Sequence, residues 1–549
     1  MTSSPPFDCD VLVVGAGPVG LSLAVELGMQ GMRCIVIEAQ NRDSLAPRAK
    51  TTNVRSRELM RRWGIAESLA AEAPFGIHYP SNVVFATRLL GTELARFPNA
   101  FSCSPERDDR FAEHAQWVPQ YKVEKVLRRH ALSFAGVSIL QPVRLAAFVQ
   151  DEDGVSATIQ SELETNGRTI RARYLVGADG ARSTVRAILG VAMDGQSPLG
   201  QHRAFIFRSP DLDRRHTLGP AIMFWIVHGQ FPSVIAPLDQ GDLWTFGLPR
   251  ALAETTDPIT AIRQAVGADI PVELLSTDDW TAHQLIAQHY RVGRVFLAGD
   301  ACHLHPPFGG HGMNMGIGDA VDLGWKLAAT LQGWGGAGLL DSYEVERRQV
   351  HQRVVNEAVS NHKLLSASYF APGLDTRDAE GDALRAKTRE AILLGKTPEF
   401  RSLGVVIGYH YEHSPVIARD PSDTDPLEPR ADYVPNARPG CRAPHVWLAD
   451  GKARGASLYD HIAFNGLTLL ATRPGATAGA AIEACQHAAR SAGIPLSIIA
   501  PQHAEIQSLY QADFVLLRPD HHVAWRGNDI ASAARALMCA AGHSSSHPH

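Results

Sequence analysis

Short apolar runs along the chain are separated by glycine-rich turns and by amphipathic stretches. The first run, Asp10 to Val14, predicts a buried strand, and the apolar-rich stretch from Leu21 to Gly31 predicts a helix. Arg33 to Ile37 predicts a second strand, and Glu38 follows it directly. The turn GAGPVG, residues 15–20, lies between the first strand and the helix. This order predicts a βαβ unit that is followed by an acidic residue.

The glycine-rich turn has the composition that a dinucleotide-binding unit requires. Gly15 allows the tight turn, Gly17 lets a pyrophosphate approach the backbone, and Gly20 allows the helix to pack closely on the strand. With Pro18 they begin a helix whose free N–H groups attract phosphate. Glu38 stands where an acidic side chain meets a ribose hydroxyl. The turn therefore predicts a nucleotide site.

Two further strand-and-turn elements occur much later in the chain. Thr169 to Leu175 predicts a strand that is followed by a turn containing Asp179. Arg294 to Ala298 predicts another strand, whose following turn contains Asp300, and Met315 to Leu331 predicts a long helix. Three such elements far apart in sequence predict one parallel sheet with other material inserted.

The inserted segment differs in composition, with short runs of aromatic and β-branched residues between Pro, Gly and Asp residues. It predicts an antiparallel sheet, and a cleft between this sheet and the nucleotide-binding domain suits a small molecule. The last part of the chain predicts a small α/β domain. The limits that we expect are a nucleotide-binding domain at 1–190 and 281–394, a substrate-binding insert at 191–280 joined by 75–115, a linker at 395–444 and a C-terminal domain at 445–549.

Composition and charge exclude several classes of protein. The 549 residues include 52 basic and 57 acidic ones, a net charge of −5 without a dense basic run, which argues against a nucleic-acid partner. The seven cysteines form no C-x-x-C pair, so a disulfide scaffold or structural zinc is not expected. No signal peptide and no membrane-spanning stretch is predicted. We expect a cytoplasmic homodimer with no membrane partner.

Taken together, the three motifs resemble those of the FAD-dependent aromatic hydroxylases, the single-component flavoprotein monooxygenases. The resemblance covers nearly the whole chain. RPDHHVAWR, residues 518–526, resembles the thioredoxin-like domain of the phenol hydroxylase branch, without its redox C-x-x-C. It implies an α/β protein with a Rossmann-like FAD-binding domain, an inserted antiparallel β-sheet and a C-terminal thioredoxin-like domain. The cofactor-binding residues that it implies are Gly15, Gly17, Pro18, Gly20, Glu38, Arg48, Gln120, Asp179, Asp300, Gly310, Gly312, Met313 and Asn314.

The segment HPPFGGHGMN, residues 305–314, resembles the loop that lies against the flavin ring in this family. The family often has Gln where this chain has His311. Met313 and Asn314 open the following helix, and their N–H groups would favour negative charge on the reduced flavin. Pro306 begins a stretch in which prolines and glycines flank Phe308, a place where movement of the flavin could be sensed.

The family reaction implies that NADPH or NADH reduces FAD, dioxygen forms a flavin hydroperoxide, and a phenolic or similar electron-rich aromatic ring is hydroxylated. The chain has one nucleotide fingerprint, which FAD would occupy, so NADPH or NADH would bind transiently on the surface of the cleft. The catalytic candidates are Lys50, which would pass near the flavin, His228, which could take the phenol proton, and Pro306. His303 lacks further ligands at metal-binding spacing, so no metal is expected.

Two other functions stay open at this point. A flavin-dependent halogenase shares this nucleotide fold, but the W-x-W-x-I-P motif of the tryptophan type is absent from the sequence. A non-catalytic flavoprotein that binds a metabolite is the alternative from a different class. It stays open because the oxygen chemistry requires no single side chain.

Overall fold

A computed structural model describes residues 7–41, 49–106, 108–161, 167–363, 369–419, 432–448, 456–473 and 480–543. The strands are β1 Cys9–Val14, β2 Cys34–Ile37, β3 Thr51–Thr52, β4 Val83–Ala86, β5 Glu93–Phe97, β6 Gln116–Trp117, β7 Val137–Leu140, β8 Arg144–Gln150, β9 Val155–Gln160, β10 Arg168–Gly177, β11 Met193–Arg208, β12 Met223–Ile226, β13 Ser233–Pro237, β14 Leu243–Pro249, β15 Glu273–Ala287, β16 Arg291–Val292, β17 Val295–Leu297, β18 His303–Leu304, β19 Leu467–Ala471, β20 Leu496–Ile499, β21 Phe514–Leu517 and β22 Val523–Gly527. The helices are α1 Pro18–Met29, α2 Val54–Arg62, α3 Ala66–Glu72, α4 Gln120–Ala131, α5 Thr184–Leu189, α6 Leu212–Arg215, α7 Arg250–Thr255, α8 Pro258–Val266, α9 Gly312–Leu331, α10 Ser342–Lys363, α11 Ala379–Phe400, α12 Leu403–Val406, α13 Ala480–Ser491, α14 Ala504–Tyr510 and α15 Ile530–Ala540.

The first sheet has a parallel centre with strand order β7–β2–β1–β10–β17. The central strands β1 and β10 are fully buried where they pair, as Val13 with Val176, and α1 and α9 pack over them. Strands that are buried on both faces need continuous apolar sequence. The predicted elements at Asp10, Thr169 and Arg294 therefore form one sheet, and their carboxyl ends meet at one edge.

The second sheet has the order β18–β15–β11–β14–β13–β12–β4–β5. Its neighbours are antiparallel except for β12 and β4, which run parallel. Its aromatic residues are divided between two cores, as alternation along strands requires. Phe224 and Phe246 pack under α8, whereas Phe85 and Trp225 face α11. The second face borders the cleft that the sequence predicts.

The third sheet, β20–β19–β21–β22, is mixed, with β19 parallel to β20 and antiparallel to β21. Helices α13 and α15 pack on it around Leu469 and Leu516. This is the expected thioredoxin-like arrangement, and we call β19–β22 with α13–α15 the C-terminal module. The domain limits themselves stay a prediction. Helix α11 runs beyond 394 to Phe400, and Tyr411 of the proposed linker is buried.

A buried cluster of five ionisable side chains joins the C-terminal module to α9 and α10. Arg518 donates to Glu346 at 2.6 Å and to Asp322 at 2.8 Å. It also lies 2.7 Å from Asp520. Lys326 donates to Asp322 at 2.8 Å and to Glu346 at 2.6 Å, and all five side chains are at most 3% exposed. We call these residues the five-residue charge cluster. Burial raises the pKa of Asp322 well above its usual range, whereas Arg518 and Lys326 hold the pKa of Glu346 below its usual range against the effect of burial.

A second buried contact ties α2 to the segment before the module. Arg442 donates from Nε to Glu58 at 3.0 Å and from Nη1 to the Tyr433 hydroxyl at 3.1 Å. Burial alone would raise the pKa of the Glu58 carboxyl, but the Arg442 guanidinium holds it below its usual range. The Glu58 carboxylate is therefore charged at neutral pH, and Arg442 compensates for the burial of this charge.

Candidate active site

The glycine-rich turn forms a cradle at the carboxyl edge of the first sheet. Gly15 has φ +106°, and a Cβ there would collide with the carbonyl oxygen of Ala178. The first turn of α1 begins after Gly17 without a side-chain cap, so backbone N–H groups point outward. Glu38 accepts from the amides of Ala16 at 2.9 Å and Gln40 at 3.0 Å, which holds its carboxylate beside the turn. The cradle fits a dinucleotide, and Pro18 and Gly20 are buried behind it.

Asp300 and Asp179 lie after neighbouring strands, and the structure places them differently. Asp300 is exposed in the turn after β17, where it can reach a ligand. Asp179 accepts from Ser183 Oγ at 2.6 Å and from the Val185 amide at 3.1 Å, and burial raises its pKa. Asp179 therefore fixes the start of α5. Its role toward a cofactor stays a prediction.

A two-stranded ribbon, β3 with β6, lies against the loop at residues 305–311, which we call the flavin loop. Asn314 Nδ2 donates to the carbonyl oxygens of Thr51 at 2.8 Å and Gly310 at 2.7 Å. Its Oδ1 accepts from the amide of Asn53 at 2.9 Å. The Asn314 side chain is thus used within the protein and locks ribbon and loop together. The half-buried Gly312 and Met313 at the start of α9 leave backbone N–H groups for a flavin.

The flavin loop contains two uncharged histidines. Burial lowers the pKa of His305 to about 3 and that of His311 to about 4, so both imidazoles are neutral at pH 7. Pro306 is buried, and its carbonyl oxygen lies 2.8 Å from His305 Nδ1. Because the flavin loop has no positively charged side chain, negative charge on a reduced flavin would be stabilised by backbone N–H groups and by the N-terminus of α9.

Sequence reasoning missed an ion pair from α11 that contacts the flavin loop. Lys396 donates to Glu399 at 2.8 Å, and both are buried. Glu399 also accepts from the amide of Gly309 at 3.3 Å. The ammonium lies 5.3 Å from the ring of Phe308, within cation–π range. Only the i, i+3 spacing marked this pair in the sequence.

Lys50 precedes the ribbon directly, and its carbonyl oxygen accepts from the amide of Val118 at 2.6 Å. Its side chain is partly buried, and the structure records no carboxylate partner for it among the described residues. Burial without a counter-charge lowers the pKa of Lys50 to about 8. An amine with such a pKa exchanges protons near neutral pH.

The remaining predicted residues have less support from the geometry. His228 Nε2 lies 2.8 Å from Arg88 Nη2 and 3.2 Å from Asp375, and burial and Arg88 lower its pKa. These partners occupy the nitrogen that would take a substrate proton. Gln120 donates to Glu124 at 2.8 Å on the surface of α4. Arg48 lies outside the described residues.

The structure brings together four possible metal ligands that sequence spacing did not connect. Donor atoms of Cys302, His303, Asp319 and His351 lie within 4.8 Å of one another, all buried. Both Asp319 oxygens are already used: Oδ1 by Arg347 at 2.7 Å and Oδ2 by the Gly299 amide at 3.0 Å. A guanidinium at this distance supplies the positive charge that a cation would bring. We interpret the group as support for the turn that carries Asp300.

These features define a protein that binds an extended dinucleotide along the edge of a parallel sheet, with the reactive end at a cleft lined by aromatic residues. Residues 8–358 match the family described as "FAD binding domain", and residues 436–544 match "Aromatic-ring hydroxylase, C-terminal".

Three proteins illustrate the likeness. The tetracenomycin B2 monooxygenase-dioxygenase of Streptomyces olivaceus is 33% identical, over 96% of this chain and 97% of its own. The phenol 2-monooxygenase of a Pseudomonas species (strain EST1001) is 31% identical, over 96% and 91%. The chromopyrrolic acid-soaked RebC structure with bound 7-carboxy-K252c has a TM-score of 0.90 and 33% identity, over 98% and 100%.

The chain therefore belongs to the FAD-dependent aromatic-ring hydroxylases. It is a monooxygenase that uses FAD, NADPH or NADH, and dioxygen to hydroxylate a small aromatic substrate. Membership of this family supports the hydroxylase over the halogenase and the non-catalytic flavoprotein. Among the residues that the structure describes, no helix combines the length and the apolar character needed to cross a membrane.

Proposed function

We propose that Lys50 is the base that takes the phenol proton of the aromatic substrate. The observation that carries this proposal is a partly buried lysine without a described carboxylate partner, next to the ribbon that Asn314 locks onto the flavin loop. A phenol becomes more electron-rich when it loses its proton, and this favours attack on the ring by an electrophilic oxygen. The amine is a suitable acceptor because its pKa of about 8 lies near neutral pH.

FAD, when bound, supplies the hydride acceptor and the oxygen-activating chemistry. The residues that would hold it are those of the glycine cradle with Glu38, together with Asp300 and the N–H groups at the start of α9. Arg48, Gln120 and Asp179 stay proposed contacts from the family resemblance. The chain's own task is to place the aromatic ring against the flavin loop and to hold Lys50 near its hydroxyl.

Exclusion of water is the second task of the cleft. Phe308 of the flavin loop stacks with Trp225 of β12 at 6.1 Å between ring centroids, and Trp225 stacks with Phe85 of β4 at 5.9 Å. This row of rings connects the loop to the second sheet and gives the substrate an apolar surface. Water is excluded from such a surface, which limits loss of the reactive oxygen to hydrogen peroxide.

The finer assignments of the partner and the compartment belong to the same proposal. We propose a cytoplasmic homodimer that acts on a phenolic ring. The phenolic substrate is supported by the relative that is named for phenol and by the position of Lys50. The unpaired cysteines support a reducing compartment. Size-exclusion chromatography with light scattering measures the oligomeric state.

The dependence of turnover on pH tests the role of Lys50. A phenol panel assayed with ¹⁸O₂ and mass spectrometry first identifies a substrate by its labelled product. The neutral amine is the base, so we expect kcat/KM to rise with pH through an apparent pKa of about 8. This rise is the ascending limb of the pH–rate profile. Lys50→Met and Lys50→Arg should lack the limb and lose about 10²- to 10⁴-fold in rate. His228→Asn is the control and should keep the limb. A limb that persists in Lys50→Met contradicts the proposal.

A further inference from the structure

A buried ion pair near the carboxyl end of α11 contacts both the flavin loop and the row of rings. Lys396 is 0% exposed and Glu399 is 3% exposed. The ammonium donates to Glu399 Oε2 at 2.8 Å and to the carbonyl oxygen of Asn361 on α10 at 2.9 Å. It lies 5.3 Å from the ring centroid of Phe308 and 6.0 Å from that of Trp225. The pair is therefore fixed where α10, α11 and these two rings meet.

The two oxygens of the Glu399 carboxylate have separate partners. Oε2 accepts from Lys396, whereas Oε1 accepts from the amide of Gly309 in the flavin loop at 3.3 Å. Burial raises the pKa of Glu399, and the ammonium of Lys396 opposes this effect. The lysine thus supports the charged form of the carboxyl group, while the second oxygen of the same group reaches the loop.

The segment that Glu399 contacts has little conformational preference of its own. Gly309 has φ +81° and Gly310 has φ +66°, a backbone region that favours glycine. A Cβ on Gly309 would lie 2.3 Å from His311 Nε2, so the glycine also leaves room for the imidazole ring. On the other side, the carbonyl oxygen of Gly310 accepts from Asn314 at 2.7 Å. The side chains of Asn314 and Glu399 therefore hold this pair of glycines from outside the loop.

From this geometry we infer that Glu399 is a positioning residue for the hydroxylation, because it fixes Gly309 and thereby holds Phe308 against Trp225. Phe308 precedes Gly309 directly, and its ring ends the row that continues through Trp225 to Phe85. The inference rests on the proposed function, in which this row excludes water.

The expected consequence of losing the contact is uncoupling of NAD(P)H oxidation from hydroxylation. A loop that is no longer held opens the row of rings, and water then reaches the reactive oxygen. NAD(P)H, a proton and dioxygen are in that case converted to NAD(P)⁺ and hydrogen peroxide, instead of giving NAD(P)⁺, water and the hydroxylated product.

Two double variants separate the hydrogen bond to Gly309 from the buried charges. Lys396→Met combined with Glu399→Gln removes both charges and keeps a side-chain oxygen that can accept from the amide. Lys396→Met combined with Glu399→Leu removes both charges and also this acceptor. Replacing both partners of a buried ion pair is often close to neutral for stability, so both chains should fold. The first double variant is therefore the matched control for the second.

Hydrogen–deuterium exchange of the FAD-loaded protein tests the position of the loop without a substrate. Pro306 and Pro307 have no amide hydrogen, so peptides that cover residues 305–312 report on few amides, and that of Gly309 is among them. This segment should exchange about fivefold faster in the Glu399→Leu double variant than in the Glu399→Gln double variant, which is the effect of about one neutral hydrogen bond. Equal exchange of the segment in the two double variants would overturn the inference.

The ratio of product to hydrogen peroxide is the second measurement, made with the phenol that the ¹⁸O₂ panel identifies. The Glu399→Gln double variant should keep the ratio of the wild type, whereas the ratio should fall about fivefold in the Glu399→Leu double variant. A merely structural pair would change both double variants equally, and equal ratios would contradict the positioning role. The pH limb of Lys50 is measured from kcat/KM, so the two proposals fail separately. A panel without a labelled product would contradict the proposed function, while the exchange measurement would still decide this inference.

Discussion

Replacing Arg518 by Met should release the C-terminal module from α9 and α10. Arg518 is 0% exposed and contacts Glu346, Asp322 and Asp520 at 2.6–2.8 Å. Methionine is apolar and makes none of these contacts. The variant leaves three buried carboxyl groups with Lys326 as their remaining cation in the five-residue charge cluster. The burial cost of these carboxyls then has no sufficient offset.

The magnitude follows from the burial of the charge cluster. Removing one partner of a buried ion pair costs about 3–5 kcal/mol, since the other charge stays buried. Arg473 provides a matched control in the same module, because it contacts Asp513 at 2.6 Å but is 56% exposed. Exposed pairs contribute about 0–1 kcal/mol. Arg473→Met should therefore be close to neutral, although the pair has a similar distance.

Hydrogen–deuterium exchange of the FAD-loaded protein measures the opening of the module directly. A cost of about 3–5 kcal/mol corresponds to roughly a hundredfold to several thousandfold faster exchange through that opening. The faster exchange should be found in β21 and in the facing part of α9, while β1 stays protected. If β21 exchanges equally fast in Arg518→Met and Arg473→Met, the charge cluster does not hold the module in place.

The other predictions concern the cradle and the lysine. Gly15→Ala should abolish FAD retention, because its φ of +106° strains any side chain and its Cβ would collide with Ala178; a yellow variant with one FAD per chain would contradict this. Lys50→Met should stabilise the fold at pH 7 by about 1–3 kcal/mol, since burial holds the pKa of Lys50 at about 8 in the folded state against 10.5 when exposed. Between about pH 8 and 10.5 Lys50 keeps its proton in the unfolded chain only, so the wild type gains stability as pH rises through this range. The melting temperatures of the wild type and of Lys50→Met should therefore converge at high pH. A difference that stays constant with pH would refute the assignment of the pKa.

The elements that sequence predicted best are those with a local signal. The strand at Asp10, the glycine turn and the helix after it are each specified by neighbouring residues, and the structure contains them in that order. The start of α5 is specified in the same local way, because Ser183 Oγ accepts from the Arg186 amide at 3.0 Å. Such contacts span a few residues, so the pattern along the chain contains them.

The contacts that sequence missed are long-range. Asp322 and Arg518 are 196 residues apart, and each resembles an ordinary surface charge in its own segment. The backbone N–H of Asn314 was expected to face the flavin, and that stays a prediction, whereas the contact of its side chain with Thr51, 263 residues away, had no signal in the sequence. The sequence identified Lys50 as a candidate, whereas the burial of its side chain depends on tertiary packing that no local sequence pattern predicts. Pairings of this kind become apparent only when the chain is folded.

The five-residue charge cluster also sets the order in which the enzyme can mature during synthesis. Glu346 is separated by 172 residues from its partner Arg518. Ribosomes add about 5–20 residues per second, so Arg518 is synthesised roughly ten to thirty seconds after Glu346. During this time the nascent nucleotide-binding region holds charged residues that it cannot yet bury in balanced pairs. We therefore expect the FAD-binding region to complete its folding only after Arg518 and Asp520 have left the ribosome, and a chain that ends before them to be a substrate for proteases.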